Sequence, residues 1–168
     1  NQQGQHGDGT NGWKNTFTQI IESGVKEITG GNNCSFILKE DGSLWATGNN
    51  ARGRLGYGTI DDINTFTQII ESGVKEIATG NKNSHSLILK ENGSLWATGN
   101  NEQGQLGDGT TVDKYTFTQI IESGVKEIST GNAHSLIIKE NGSLWATGSN
   151  SLGQLGDGTT VDKYTFTQ

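Results

Sequence analysis

Residues 85–110 read HSLILKENGSLWATGNNEQGQLGDGT, and most of the fold can be read from this one stretch. From His85 to Lys90 the apolar residues fall on both parities: Leu87 and Leu89 point one way and Ile88 the other, as in a strand covered on both faces. Asn92-Gly93 follows, a pair favoured in two-residue type I′ hairpin turns because both residues tolerate positive φ. Ser94–Gly99 then returns as a second strand carrying Leu95, Trp96 and Ala97. The last part, with Gly99, Gly104, Gly107 and Gly109, has the look of a phosphate cradle. A phosphate loop, however, leads into a helix whose first amides complete the site. This one leads into TVDKYTFTQII (111–121), which is rich in β-branched and aromatic residues, and it has no Gly-Lys-Ser/Thr. The glycines therefore read as turn conformations closed to other residues, with Leu106 plugging the sheet edge.

Further along the chain the same phrases return. TFTQ starts at Thr16, Thr65, Thr116 and Thr165; GVKEI at Gly24, Gly73 and Gly124; GSLWATG at Gly42, Gly93 and Gly142. A repeat of about 50 residues, each with four short strand patterns, is the signature of a β-propeller blade. The expected fold is all-β: a partial ring of three blades of four antiparallel strands, plus one orphan outer strand. As a single repeat domain over 1–168, the chain divides into a loop and outer strand of a preceding blade (1–21) and three blades (22–70, 71–121 and 122–168). Trp45, Trp96 and Trp145 recur once per blade and are assigned to packing between blades. Burying one of them contributes about 4–6 kcal/mol, from about 150–250 Å² at about 25 cal/mol per Å². The other reading of the three indoles is an exposed platform for sugars.

The order of these motifs closely resembles the regulator of chromosome condensation repeat, the unit of a seven-bladed propeller. Gly80, His85, Ser86, Leu87, Leu89, Gly93, Gly99, Asn101 and Gly104-Gln105-Leu106-Gly107 carry the likeness. Gly131, His134, Ser135, Gly142, Gly148, Asn150 and Gly153-Gln154-Leu155-Gly156 carry it again. There are departures. Thr47, Thr98 and Thr147 stand where the family often has Trp, and its usual proline before the fourth strand is missing. Cys34 replaces the histidine in the first repeat, and the loop there reads Gly53-Arg54-Leu55-Gly56. The resemblance implies a buried hydrogen-bonding role at His85, His134 and the place of Cys34. Relatives include exchange factors for small GTPases and secreted β-lactamase inhibitors, so it implies protein–protein binding more than chemistry. An exchange factor would need a specialised insertion, and no repeat has one.

Composition narrows the function. The net charge is −6 and most lysines sit beside a glutamate, so there is no basic stripe for nucleic acid. No apolar run is long enough for a membrane helix, and no membrane insertion is expected. His85 and His134 fall one blade apart and cannot share a metal, and a Cys34–His pair would need contact. Asp8, Asp108 and Asp157 recur in GDGT, but their spacing fits no calcium loop and Tyr57 breaks the series. No cofactor, metal or catalytic residue is expected, and the chain does not read as an enzyme.

If strands alternate up and down, the first-to-second and third-to-fourth connections share one face of the disc, and their sequences vary most. Loops on a rigid scaffold are where binding concentrates. Arg52, Asn81, Lys82, Asn83, Glu102 and Gln103 are thus the candidate contacts for a protein or glycan partner. The other reading of that variation is drift after recent duplication. A chain starting at Asn1 without Met reads as a piece of something longer, and its acidic, Thr/Asn/Gly-rich composition suits a secreted or surface protein. Open blade faces call for self-association or further repeats to complete the ring. A subunit of a surface assembly or filament is the alternative to a binding scaffold.

Overall fold

A computed structural model describes residues 1–80 and 85–168. Among these residues twelve strands form three antiparallel sheets of four, each in simple sequential order. The first sheet is β1 (Val25–Gly31), β2 (Cys34–Lys39), β3 (Leu44–Gly48) and β4 (Ile63–Ile70). The second is β5 (Val74–Thr79), β6 (His85–Lys90), β7 (Leu95–Gly99) and β8 (Lys114–Ile121). The third is β9 (Val125–Thr130), β10 (His134–Lys139), β11 (Leu144–Gly148) and β12 (Lys163–Thr167). These are three blades of a propeller, packed in chain order.

The apolar residues on both parities are explained by the two junctions. One core joins Phe36, Leu38, Leu44, Ala46 and Leu55 of blade 1 to Val74, Ile77 and Ile88 of blade 2. The second joins Leu87, Leu89, Leu95, Ala97 and Leu106 of blade 2 to Val125, Ile128 and Ile137 of blade 3. Blade 2 is therefore covered on both faces, and His85–Leu89 are all buried. Trp96 and Trp145 pack, half-buried, at the edges of these cores, and Trp45 of blade 1 is half-buried but joins neither. In each blade a lysine ammonium covers the indole, as with Lys90 at 4.3 Å from the Trp96 ring, and the indole N–H donates to Ser94 Oγ at 2.9 Å.

Two expectations are corrected. The Asn-Gly hairpin is a three-residue loop: Lys90 N–H donates to Ser94 O, and only Gly93 takes positive φ (77°). Asn92 keeps negative φ, and its Oδ1 accepts from the Ser94 amide and hydroxyl at 3.1 and 2.7 Å. The side chain itself closes the turn, so the mirror-image turn is not needed. The orphan outer strand at 16–21 does not form either. Residues 11–24 carry no strand pairing, because the chain offers no free third-strand edge beside them.

Candidate partner-binding loop face

The glycine phrases do more than turn the chain. Those after β3 and β7 cross the junction and lie on the next blade, and the phrase at 1–10 lies on blade 1 in the same way. Gly104 O meets Thr147 Oγ1 at 2.9 Å, Gly53 O meets Thr98 at 3.0 Å, and Gly4 O meets Thr47 at 2.9 Å. The same hydroxyls lie 2.8–2.9 Å from Lys163 O, Lys114 O and Ile63 O of the fourth strands. A buried threonine therefore shares one proton between two carbonyls, tying the loop to the strand beneath it. A bulky Trp at this position would remove the tie.

An asparagine shapes each loop from within. Asn101 Oδ1 accepts from Leu106 N–H at 3.0 Å, and its Nδ2 donates to Asp108 Oδ1 and Thr110 O at 2.9 and 3.0 Å. Asn50 and Asn150 hold Leu55 and Leu155 in the same way. Asp62, Asp113 and Asp162 anchor the loop start, each accepting from the amide of the neighbouring Asn50, Asn101 or Asn150 at 2.7–2.9 Å. Sequence reasoning passed over these aspartates, although each stands twelve residues after the loop asparagine in three successive repeats.

The GDGT aspartates prove to be ion-paired turn residues. Asp8, Asp108 and Asp157 meet Lys14, Lys114 and Lys163 at 3.0, 3.0 and 3.1 Å. Bonds from the Thr10 hydroxyl and from Lys14 hold the Asp8 carboxyl well below its usual range, and the Thr159 amide and hydroxyl do the same for Asp157. In the remaining repeat both partners change together, to Tyr57 and Ile63. No group of three or more His, Cys, Asp or Glu among the described residues could hold a metal.

The resemblance implied buried hydrogen bonding at the histidines. His85 Nε2 lies 3.0 Å from Ser135 Oγ of the next blade, and that hydroxyl donates to Gln105 O at 2.7 Å. With its proton spent there, Ser135 accepts from Nε2–H, which fixes the His85 tautomer. Burial and nearby His134 push the His85 pKa down to about 3. His134 is half-buried, with no blade beyond it. At the first junction Cys34 and Arg54 replace this His–Gln pair. Both are buried, and Arg54 Nη1 donates to Asn32 O at 2.6 Å.

The first-to-second and third-to-fourth loops do share a face: Asn49 N–H donates to Asn33 O and Ser149 N–H to Ala133 O. The hairpins meet the blade links on the opposite face, with Val74 N–H donating to Gly42 O and Val125 N–H to Gly93 O. Of the candidate contacts, Arg52 and Glu102 come together. Arg52 Nη2 lies 2.7 Å from Glu102 and Nη1 lies 3.0 Å from Asp113, so the triad bridges blades 1 and 2. Arg52 takes a left-handed conformation (φ 63°) to do so. Gln103, half-buried beside it, bonds through its amide N–H to Gln105 Oε1. Asn81, Lys82 and Asn83 lie outside the described residues. The sequence reading did not single out the exposed apolar residues here: Ile60, Val112 and Val161 in successive loops, Tyr57 beside Tyr115 on blade 2, and Tyr164 on blade 3.

Residues 74–105 and 125–154 match one model of the regulator of chromosome condensation (RCC1) repeat, and residues 92–138 match a second. No curated protein matches the sequence. Among solved structures, human WBSCR16 superposes with a TM-score of 0.82 at 20% identity, over 99% of this chain and 44% of its own. Prp20p from Saccharomyces cerevisiae, described with its binding properties to Gsp1p and histones, gives 0.76 at 23%, over 86% and 38%. Yeast RCC1 (Prp20) bound to Kap60 gives 0.75 at 21%, over 86% and 37%. The chain spans less than half the length of each of these structures and shares their fold.

Proposed function

Because this chain carries regulator of chromosome condensation repeats, we propose that it is a non-enzymatic scaffold that binds a protein partner through its loop face. The observation that carries this reading is the set of exposed apolar and aromatic residues, Ile60, Val112 and Val161 in successive loops, Tyr57 beside Tyr115 on blade 2 and Tyr164 on blade 3, together with the Arg52–Glu102–Asp113 triad that bridges blades 1 and 2. Apolar and aromatic groups ringed by charge are the composition of a protein interface. A glycan is supported less, since the repeated indoles stand at the hairpin end of each blade, away from these loops, and lie under lysine ammoniums. Protein partners are also described for the two yeast structures: Gsp1p and histones for one, Kap60 for the other. The loops are well suited to the task because the glycine phrases fix them to the neighbouring blade, which lowers the ordering cost of binding.

The test begins with cross-linked capture and identification of a bound protein, followed by titration of that purified protein. Val112→Asp together with Tyr115→Ala should weaken the complex at least about tenfold, equivalent to about 1.4 kcal/mol. Glu91→Ala on the hairpin face should leave it unchanged. Equal losses from both faces would remove the loop face from consideration.

A further inference from the structure

The glycine loop of blade 1 is held by a different internal bond from its counterparts. In the other three loops a glutamine accepts the amide two residues before it. Gln5 Oε1 takes Gln3 N–H at 3.2 Å, Gln105 takes Gln103 at 3.0 Å and Gln154 takes Leu152 at 2.9 Å. Arg54 stands at that place in blade 1, and a guanidinium has no acceptor. The backbone departs at the same point: Arg52 takes φ 63° and ψ 12°, whereas Gln3, Gln103 and Leu152 keep negative φ. Arg54 turns into the junction instead, where it is 4% exposed, donates to Asn32 O at 2.6 Å and reaches the Cys34 sulfur. Cys34 is short where the following blades have His85 and His134, which leaves the guanidinium its room. Among the described residues Asn33 and Arg52 are the only non-glycines with positive φ, and they flank this buried pair. Backbone held in such conformations concentrates at functional places.

A left-handed conformation costs free energy at any residue with a Cβ, and here two charge-assisted bonds hold it. Arg52 lies 2.7 Å from Glu102 and 3.0 Å from Asp113, across the boundary between blades 1 and 2. The turn is seated on the same blade, since a Cβ on Gly53 would fall 2.6 Å from Tyr115 Cα. The Arg52 side chain stays 48% exposed. Its fork carries more N–H donors than these two bonds use, so donors remain for an acceptor brought from outside. The equivalent residues are Gln3, Gln103 and Leu152, so this loop alone of the four sets a cation at its tip. Arginine is one of the residues on which binding energy concentrates at protein interfaces.

We infer that Arg54 is a positioning residue. By withholding the acceptor that a glutamine supplies in the other loops, it lets Arg52 turn to blade 2. The Arg52–Glu102–Asp113 bridge so formed is the specificity-determining contact of the loop face, donating to acceptor groups of a protein partner. This role in recognition rests on the loop-face reading, whereas the positioning of Arg52 does not.

The second junction, with His85 and Gln105, is the template for the test. In a crystal structure of the chain with Cys34→His and Arg54→Gln, the new glutamine should accept the Arg52 amide. Residue 52 should then return to negative φ and its guanidinium leave Glu102 and Asp113. Arg54→Gln alone should do the same, which covers a failure of the paired change to fold. Arg54→Lys, which offers no acceptor either, should keep φ near 63° and the bridge. A bridge that survives the glutamine, or is lost with the lysine, would overturn the positioning role. Affinity is then read by titrating the purified protein identified by cross-linked capture. Arg52→Ala and the paired change should each weaken binding at least about tenfold, and together no more than either alone. If Arg52→Ala leaves the affinity unmoved while Val112→Asp with Tyr115→Ala lowers it, the bridge is not what the partner reads and the loop-face reading stands. An affinity moved by none of these changes sinks both, and the crystal structures still decide what positions Arg52.

Discussion

The glycines of the loop phrase differ in what lies against them, so equivalent glycines should not tolerate change equally. Gly104 has φ +76°, and a Cβ there would fall 2.7 Å from Tyr164 Cα and 2.9 Å from Lys163 O, backbone that cannot give way. Gly153 has φ +73° but open space around it. Gly153→Ala should therefore cost only the left-handed conformation, about 1–2 kcal/mol, and Gly104→Ala clearly more, with the difference read from urea denaturation midpoints. His85 supplies a second prediction at this scale. The unfolded chain takes up a proton near the ordinary pKa of 6.5, while the folded site resists until about pH 3. Between these values the unfolded state binds more protons, so stability is complete above pH 6.5 and falls as pH drops, by up to about 1.4 kcal/mol per pH unit. His85→Gln should flatten thermal melting between pH 6.5 and 4.5 relative to wild type. An equally steep fall in the variant would assign the acid sensitivity elsewhere.

Between loop and outer strand, the natural swap of Asp and Lys for Tyr57 and Ile63 indicates that the pair works as a unit. Lys114→Ile alone leaves the partly buried Asp108 carboxylate without its cation, and Asp108→Tyr alone strands Lys114. The double change rebuilds the blade 1 arrangement. It should destabilise by less than the sum of the singles, with a coupling of about 0.5–1 kcal/mol in a double-mutant cycle; additivity would refute the pairing. The strands, their order and the cross-blade role of the apolar residues were legible in the sequence, because a 50-residue period and apolar residues on both parities admit few alternatives. The three-residue hairpin was not, since Asn-Gly suits both turn types and the choice rests on the Asn92–Ser94 hydrogen bonds. Of the candidate site, Arg52 and Glu102 were found through variation between repeats. Their ion pair was not foreseen, because Arg52 belongs to the loop of blade 1 and Glu102 and Asp113 to that of blade 2. Residues 16–21 match the strand pattern in full and still lack a strand, because pairing needs an edge as well as a sequence.

At the scale of the whole molecule, each blade touches only its neighbours, so stability is the sum of blade and junction contributions. Blade 2 has two junctions and the outer blades one each, and the burial patterns follow this: β6 is buried from His85 to Leu89, while β10 alternates between buried and half-buried. Opening should be easiest in blade 3, whose β10 is only alternately buried, where β2 and β6 are buried nearly throughout. Hydrogen exchange on the dilute chain should therefore find the slowest amides in β6 and β7, intermediate ones in β2 and β3, and the fastest in β10–β12. Thr98→Val removes the proton shared by Gly53 O and Lys114 O at the junction of blades 1 and 2. It should speed exchange in β2 and β3 more than in β10, because the junction of blades 2 and 3 is intact. Uniform acceleration across all three blades would mean that the chain opens as one cooperative unit, and that stability is not parcelled out by junctions.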